Sequence, residues 1–87
     1  MNHKKVYAAL VRSRRDRRRK KRGDGMLEEH HIWPRCLGGG GEEENTVLLT
    51  PREHLLAHRL LIEITQGADR AKMSYAYAMM ACCNPNQ

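Results

Sequence analysis

From His3 to Arg22, apolar positions recur at helical spacing. Val6, Ala9 and Leu10 form a stripe with Ser13 at its end, and Tyr7 and Val11 widen it. The second half of this segment is arginine and lysine, with no Gly or Pro before Gly23. One helix is predicted, apolar at its start, basic at its end, and broken by the glycines Gly23 and Gly25. Met26 to Trp33, "MLEEHHIW", is short and closed by Pro34, which suits a strand at a sheet edge. "LGGGGEEEN" reads as a turn region, and "TVLLT", Thr46 to Thr50, as a second strand. Together they predict an antiparallel hairpin with a long loop. Thr50, Pro51 and Glu53 then compose a capping box with proline at the first helical position. The helix they start is expected to run to about Thr65 and stop before Gly67. A last helix is expected from about Asp69 to Cys82, with Met73, Ala76, Tyr77 and Met80 on one face. The Met73–Tyr77–Met80 stripe reads as core, and so does Trp33, for which stacking on a binding partner is the alternative. Cys82 and Cys83 read as packing thiols. The order α-β-β-α-α makes an α+β fold.

Composition limits what this fold can rest on. The chain has 87 residues and 40% apolar positions, with no Phe and one Trp. That is one domain, residues 1–87, with a core thin enough to need a staple such as a metal or a partner chain. Three cysteines, two of them adjacent, make neither a disulfide framework nor a CxxC zinc site. No apolar run reaches the roughly 20 residues of a membrane helix, and the start does not read as a signal peptide. A soluble cytoplasmic protein with reduced thiols is expected.

Charge adds a partner. The formal net charge is +6, and Arg12 to Arg22 is basic at every position except Ser13 and Asp16. The acids gather later, at Glu28, Glu29 and Glu42–Glu44. Such a run exceeds what solubility requires and points to a polyanion, with nucleic acid first. Arg12, Arg14, Arg15, Arg17, Arg18 and Arg19 are its candidate contacts. Arg35, Arg52 and Arg59 lie nearer the histidines, as phosphate binders or as solvated surface.

Four of the five histidines fall mid-chain. His54 and His58 sit at i and i+4 on the capped helix, one turn apart on one face, a spacing that can grip one divalent cation. His30 and His31 are neighbours on a strand, so their side chains point to opposite faces. They are not two equivalent ligands. One of them is expected to complete the metal site while the other faces a substrate and takes a proton.

The set "EEHHIWPRCLGG", then Asn45, then "LTPREHLLAH" resembles the HNH endonucleases of the ββα-metal (His-Me finger) class, above all small phage-type HNH proteins. Their Tyr-x-x-Leu start and Arg-rich first helix have a counterpart in "YAALVRSRRDRRRKKR". The match covers about Gly25 to Leu61. The resemblance implies a ββα-metal core at residues 25–65, flanked by a basic helix at 1–22 and a C-terminal helix at 69–83. It implies His30, His54 and His58 as metal ligands, His31 as general base, and Asn45 as the residue that holds the loop and orients that base. Glu28 falls at an acidic position near the site. Trp33 and Met26 depart from the family's commoner residues, outside the catalytic set.

The activity implied is phosphodiester hydrolysis in DNA with one divalent ion, leaving 5′-phosphate and 3′-hydroxyl. Three imidazoles favour Zn²⁺ or Ni²⁺, while the family also works with Mg²⁺ or Mn²⁺. DNA is the implied partner, with a second copy of the chain or a phage packaging or targeting protein for specificity, in the cytoplasm of a host cell. Homing, packaging and defence are all compatible roles. Two other classes stand beside this one. A metal-stabilised nucleic-acid-binding module without catalysis leaves His31 without a purpose. An Arg-rich RNA-binding protein leaves the histidines unexplained.

Overall fold

The computed structural model describes residues 1–15 and 27–83. Among them, helix α1 spans His3–Arg14, strand β1 Glu28–His31, strand β2 Thr46–Leu49, helix α2 Pro51–Ile64 and helix α3 Gly67–Cys83. Two short 3-10 turns, Arg35–Leu37 and Glu43–Asn45, lie in the loop between the strands. The fold is α+β, a two-stranded antiparallel hairpin with three helices, and it is compatible with a small ββα core. The predicted continuation of α1 to Arg22, its break at Gly23–Gly25 and the strand start at Met26 lie outside the described residues.

Asn2 caps α1, its Oδ1 accepting from the Lys5 amide. The buried face of this helix is not the one its apolar stripe suggests. Val6 is 37% exposed and Ala9 is exposed, while Tyr7 and Val11 are buried and Leu10 and Arg14 half-buried. The true face is Tyr7–Leu10–Val11–Arg14, one residue on from the predicted stripe. The phenol and one guanidinium find polar partners inside, so amphipathic residues win the inward positions.

The strands pair in one register, Glu28 with Leu49, Glu29 with Leu48, His30 with Val47 and His31 with Thr46. Inward positions are His30, Val47 and Leu49, all at most 1% exposed. The capping box of α2 is complete, because Thr50 Oγ1 accepts from the Glu53 amide while Glu53 Oε1 accepts from the Thr50 amide. Helix α2 packs against α1 on one side and α3 on the other. Val11, Ala57, Leu60, Leu61 and Met73 complete the core with the two β2 residues.

The α2–α3 junction is tight. Thr65 Oγ1 donates to the Leu61 carbonyl at 2.7 Å, and Arg70 Nε reaches the carbonyls of Ile62 and Thr65. Gly67 sits at φ +59°, a left-handed conformation that costs glycine little, and α3 starts there rather than at Asp69. Of the expected core stripe on α3, Met73 is fully buried while Tyr77 and Met80 are half-buried. Cys82 is exposed and is not a packing thiol. The structural description does not extend to the side chain of Cys83.

Candidate functional site

The hairpin and α2 bring together residues far apart in the chain. His30 enters from the inward side of β1, and His54 and His58 from the first turns of α2. Their ring centroids lie 5.1 Å (His30–His54), 5.3 Å (His30–His58) and 4.9 Å (His54–His58) apart. One nitrogen from each ring falls within 4.8 Å of the others, which makes the trio a candidate metal site.

Two of the three rings are held from behind. His54 Nδ1 is 2.8 Å from Glu28 Oε1, so Nε2 is its remaining donor. His30 Nε2 is 2.7 Å from the Tyr7 hydroxyl, so Nδ1 is the nitrogen left to ligate. A carboxylate or hydroxyl behind a metal-binding imidazole is the usual way its orientation is fixed. His30 Nδ1 and His58 Nδ1 are buried and have no hydrogen-bond partner. Leaving a buried polar atom unpaired costs about 1–3 kcal/mol, and a cation would repay it at both.

The electrostatics agree with that fit. Burial lowers the His30 pKa from 6.5 to about 3, helped by charge on His54, His58 and His31. Burial, then charge on His54, lowers His58 to about 4. Both rings are therefore neutral at pH 7, the state in which imidazole ligates.

His31 lies on the other side of the strand, half-buried. It lines a cleft of about 310 Å³ together with Glu29, Arg35, His54, His58 and Met80. Arg35 Nε stands 3.4 Å from His31 Nε2, a long contact. Asn45 ties down the loop beside it. Its Oδ1 accepts from the Trp33 amide, and its Nδ2 donates to the carbonyls of Trp33 and Gly40, with all three bonds between 2.8 and 3.0 Å. The Asn45 carbonyl accepts from the Ile32 amide at 2.7 Å. Among the described residues its amide bonds serve the loop backbone rather than the His31 ring. Gly39 is required here, since a Cβ would meet the Trp33 carbonyl oxygen at 1.6 Å.

Trp33 is 45% exposed and does not join the core. Its indole N–H is satisfied by the Leu37 carbonyl at 3.0 Å, and its backbone is clamped by Asn45.

The arginines separate into groups. Arg12 and Arg15 are exposed along a groove shared with Tyr7, Val11 and Ile32. Arg52 is exposed. Arg35 belongs to the cleft. Arg14 instead pairs with Glu53 at 2.9 Å, joining α1 to the cap of α2. Arg59 pairs with Glu63 at 2.7 Å on the surface of α2. Arg17, Arg18 and Arg19 lie outside the described residues.

Tyr7 is the contact that sequence reasoning missed. It reads there as a residue of an amphipathic stripe and of the family's Tyr-x-x-Leu start, with no partner assigned, and its partner His30 lies 23 positions away.

No family model and no solved structure matches the chain. Among curated proteins it is similar to "Probable mobile endonuclease D" of Enterobacteria phage T4, 45% identical over 65 residues, which are 74% of this chain and 25% of that protein. "Probable mobile endonuclease B" of the same phage is 39% identical over 84 residues, 92% of this chain and 30% of its own length. "Probable mobile endonuclease E" is 42% identical over 64 residues, 74% of this chain and 43% of its own length. The chain spans less than half the length of each of these relatives. It is similar to one part of phage proteins named as mobile endonucleases.

Proposed function

We propose that this chain carries out metal-dependent hydrolysis of DNA phosphodiesters, as an HNH-type endonuclease with His31 as general base. The observation that carries the reading is the imidazole trio, buried at His30 and half-buried at His54 and His58, two of its nitrogens unpartnered, beside a cleft that His31 also lines. The names of the phage T4 relatives support it.

His30 through Nδ1, His54 through Nε2, and His58 would hold a divalent ion. Bound there, the ion would supply charge neutralisation at the phosphate and at the leaving 3′ oxygen. His31 takes a proton from the attacking water as the water oxygen bonds to phosphorus and the bond to the 3′ oxygen breaks. The products are 5′-phosphate and 3′-hydroxyl. Nε2 of His31, which Arg35 Nε–H faces at 3.4 Å, is the atom assigned to receive the proton once the Arg35 guanidinium turns to a phosphate oxygen. Asn45 keeps the loop from Trp33 to Gly40 in place, and with it the end of β1 from which His31 projects.

Arg12, Arg15, Arg52 and the Arg17–Arg19 stretch bind neighbouring phosphates, which gives affinity and salt dependence without sequence information. Exposed Trp33, two residues from His31, offers a flat surface on which a base can stack.

The test is supercoiled plasmid incubated with the protein in EDTA, Mg²⁺, Mn²⁺, Ni²⁺ or Zn²⁺. Nicking or linearisation in at least one metal, absent in EDTA, with ends that DNA ligase reseals, is the expected result. DNA retardation without cleavage in every metal would replace this reading with that of a metal-stabilised binding module.

A further inference from the structure

Tyr7 is a buried phenol that the hydrolysis does not use, and it makes two hydrogen bonds. Its hydroxyl lies 2.6 Å from the Ile32 carbonyl oxygen and 2.7 Å from His30 Nε2. A carbonyl only accepts, so the single hydroxyl proton goes to Ile32. With that proton committed, the phenol oxygen can only accept from His30, and Nε2 must be the nitrogen that carries hydrogen. A neutral imidazole has one N–H, so the lone pair is on Nδ1. That atom is the buried one without a partner. The rings of Tyr7 and His30 meet edge to face, with centroids 6.0 Å apart.

We infer that Tyr7 is a positioning residue: its hydroxyl, oriented by the Ile32 carbonyl, fixes His30 as the Nε2–H tautomer and reserves the Nδ1 lone pair for a cation shared with His54 and His58. The metal half of this statement rests on the proposed function. The tautomer half does not. Tyr7 stands on α1, five residues before the exposed Arg12, and Arg14 of the same helix pairs with Glu53, the neighbour of His54. The helix that offers arginines to phosphate therefore also holds one of the three ligands, His30, from behind. Glu28 does for His54 what Tyr7 does for His30, with a carboxylate in place of a hydroxyl.

The experiment is long-range ¹H–¹⁵N correlation of the imidazole rings in the metal-free protein, with Co²⁺ titration followed by its visible absorption. Wild type and Tyr7→Phe are compared, since phenylalanine keeps the ring and removes only the hydroxyl. Expected in wild type is an Nε2–H tautomer at His30. In Tyr7→Phe that preference is lost, and Co²⁺ binds about 10- to 100-fold more weakly, the usual scale for a partner behind a ligand. Amide spectra that overlay away from β1 establish that the variant folds. An Nδ1–H tautomer at His30 in wild type overturns the inference, and so does a variant whose tautomer and Co²⁺ affinity are both unchanged. A wild type with the expected tautomer that takes up no Co²⁺ upholds the role of Tyr7 in the tautomer and overturns the metal-site reading alone.

Discussion

The two histidines that share a peptide bond in β1 live in different worlds. His30 is 1% exposed, neutral, backed by Tyr7 and faced by two more imidazoles. His31 is half-buried, lines an open cleft, and has Arg35 at the edge of hydrogen-bond range. One step of strand pleat separates a buried cluster of imidazoles from an open cleft. The lesson is that adjacency in sequence can be a device for division of labour. On the proposed function, the ligand side is built into the core and costs desolvation, while the reacting side stays accessible and adjustable.

The comparison can be broken at either half. The largest effect is expected at His31. His31→Ala should lower the rate of plasmid cleavage by about 10²–10⁴-fold, the contribution of a general base, as read by single-turnover nicking. Metal uptake should be unchanged, because the mutated side chain is outside the trio.

The trio itself should couple metal to stability. A divalent ion at a hundred times its Kd should add about 2.7 kcal/mol to the unfolding free energy, seen as a raised melting temperature that EDTA reverses. His54→Ala should remove most of that gain in the same scan.

Acid should weaken the metal-free fold. The unfolded His30 and His58 titrate near 6.5 and the folded ones near 3 and 4. Between those values the unfolded chain binds more protons, so stability climbs with pH. Their contribution is intact above 6.5 and is lost progressively as pH falls below it. Urea unfolding in EDTA from pH 7 to pH 5 should give a decreasing midpoint. A midpoint that rises on acidification would contradict the buried, neutral description of His30 and His58.

The smallest effect concerns Trp33. Trp33→Leu should weaken DNA binding by about 1–3 kcal/mol per stacked base while leaving the salt slope unchanged, since no phosphate contact is lost. Trp33 is the only tryptophan in the chain, so quenching of its fluorescence on DNA addition is a direct readout in the wild type. Binding by anisotropy with neither quenching nor a loss in the leucine variant would rule stacking out.

Local signals carried much of this architecture. Thr50, Pro51 and Glu53 announced α2 because a cap is a short-range contract among residues three apart. The i, i+4 spacing of His54 and His58 announced a shared face for the same reason, and strand alternation separated His30 from His31. What stayed hidden was tertiary. Which face of α1 turns inward depends on polar partners that arrive from β1 and α2, so Val6 and Ala9 read as core and are not. Trp33 reads as core by type. The loop instead satisfies its backbone and its indole N–H from within, through Asn45 and Leu37, and leaves it at the surface. Arg14 belongs to a basic run by sequence and to an ion pair with Glu53 by structure. Nothing local in Tyr7 could have pointed across 23 residues to His30.

The central claim is that His30 serves the ion and His31 serves the water. The most direct measurement is the metal-induced melting shift and the nicking rate taken together in His30→Ala and His31→Ala. The account predicts that His30→Ala loses the melting shift and His31→Ala keeps it, with nicking lost in both. A His31→Ala protein that loses the shift, or a His30→Ala protein that keeps it in full, would contradict the division.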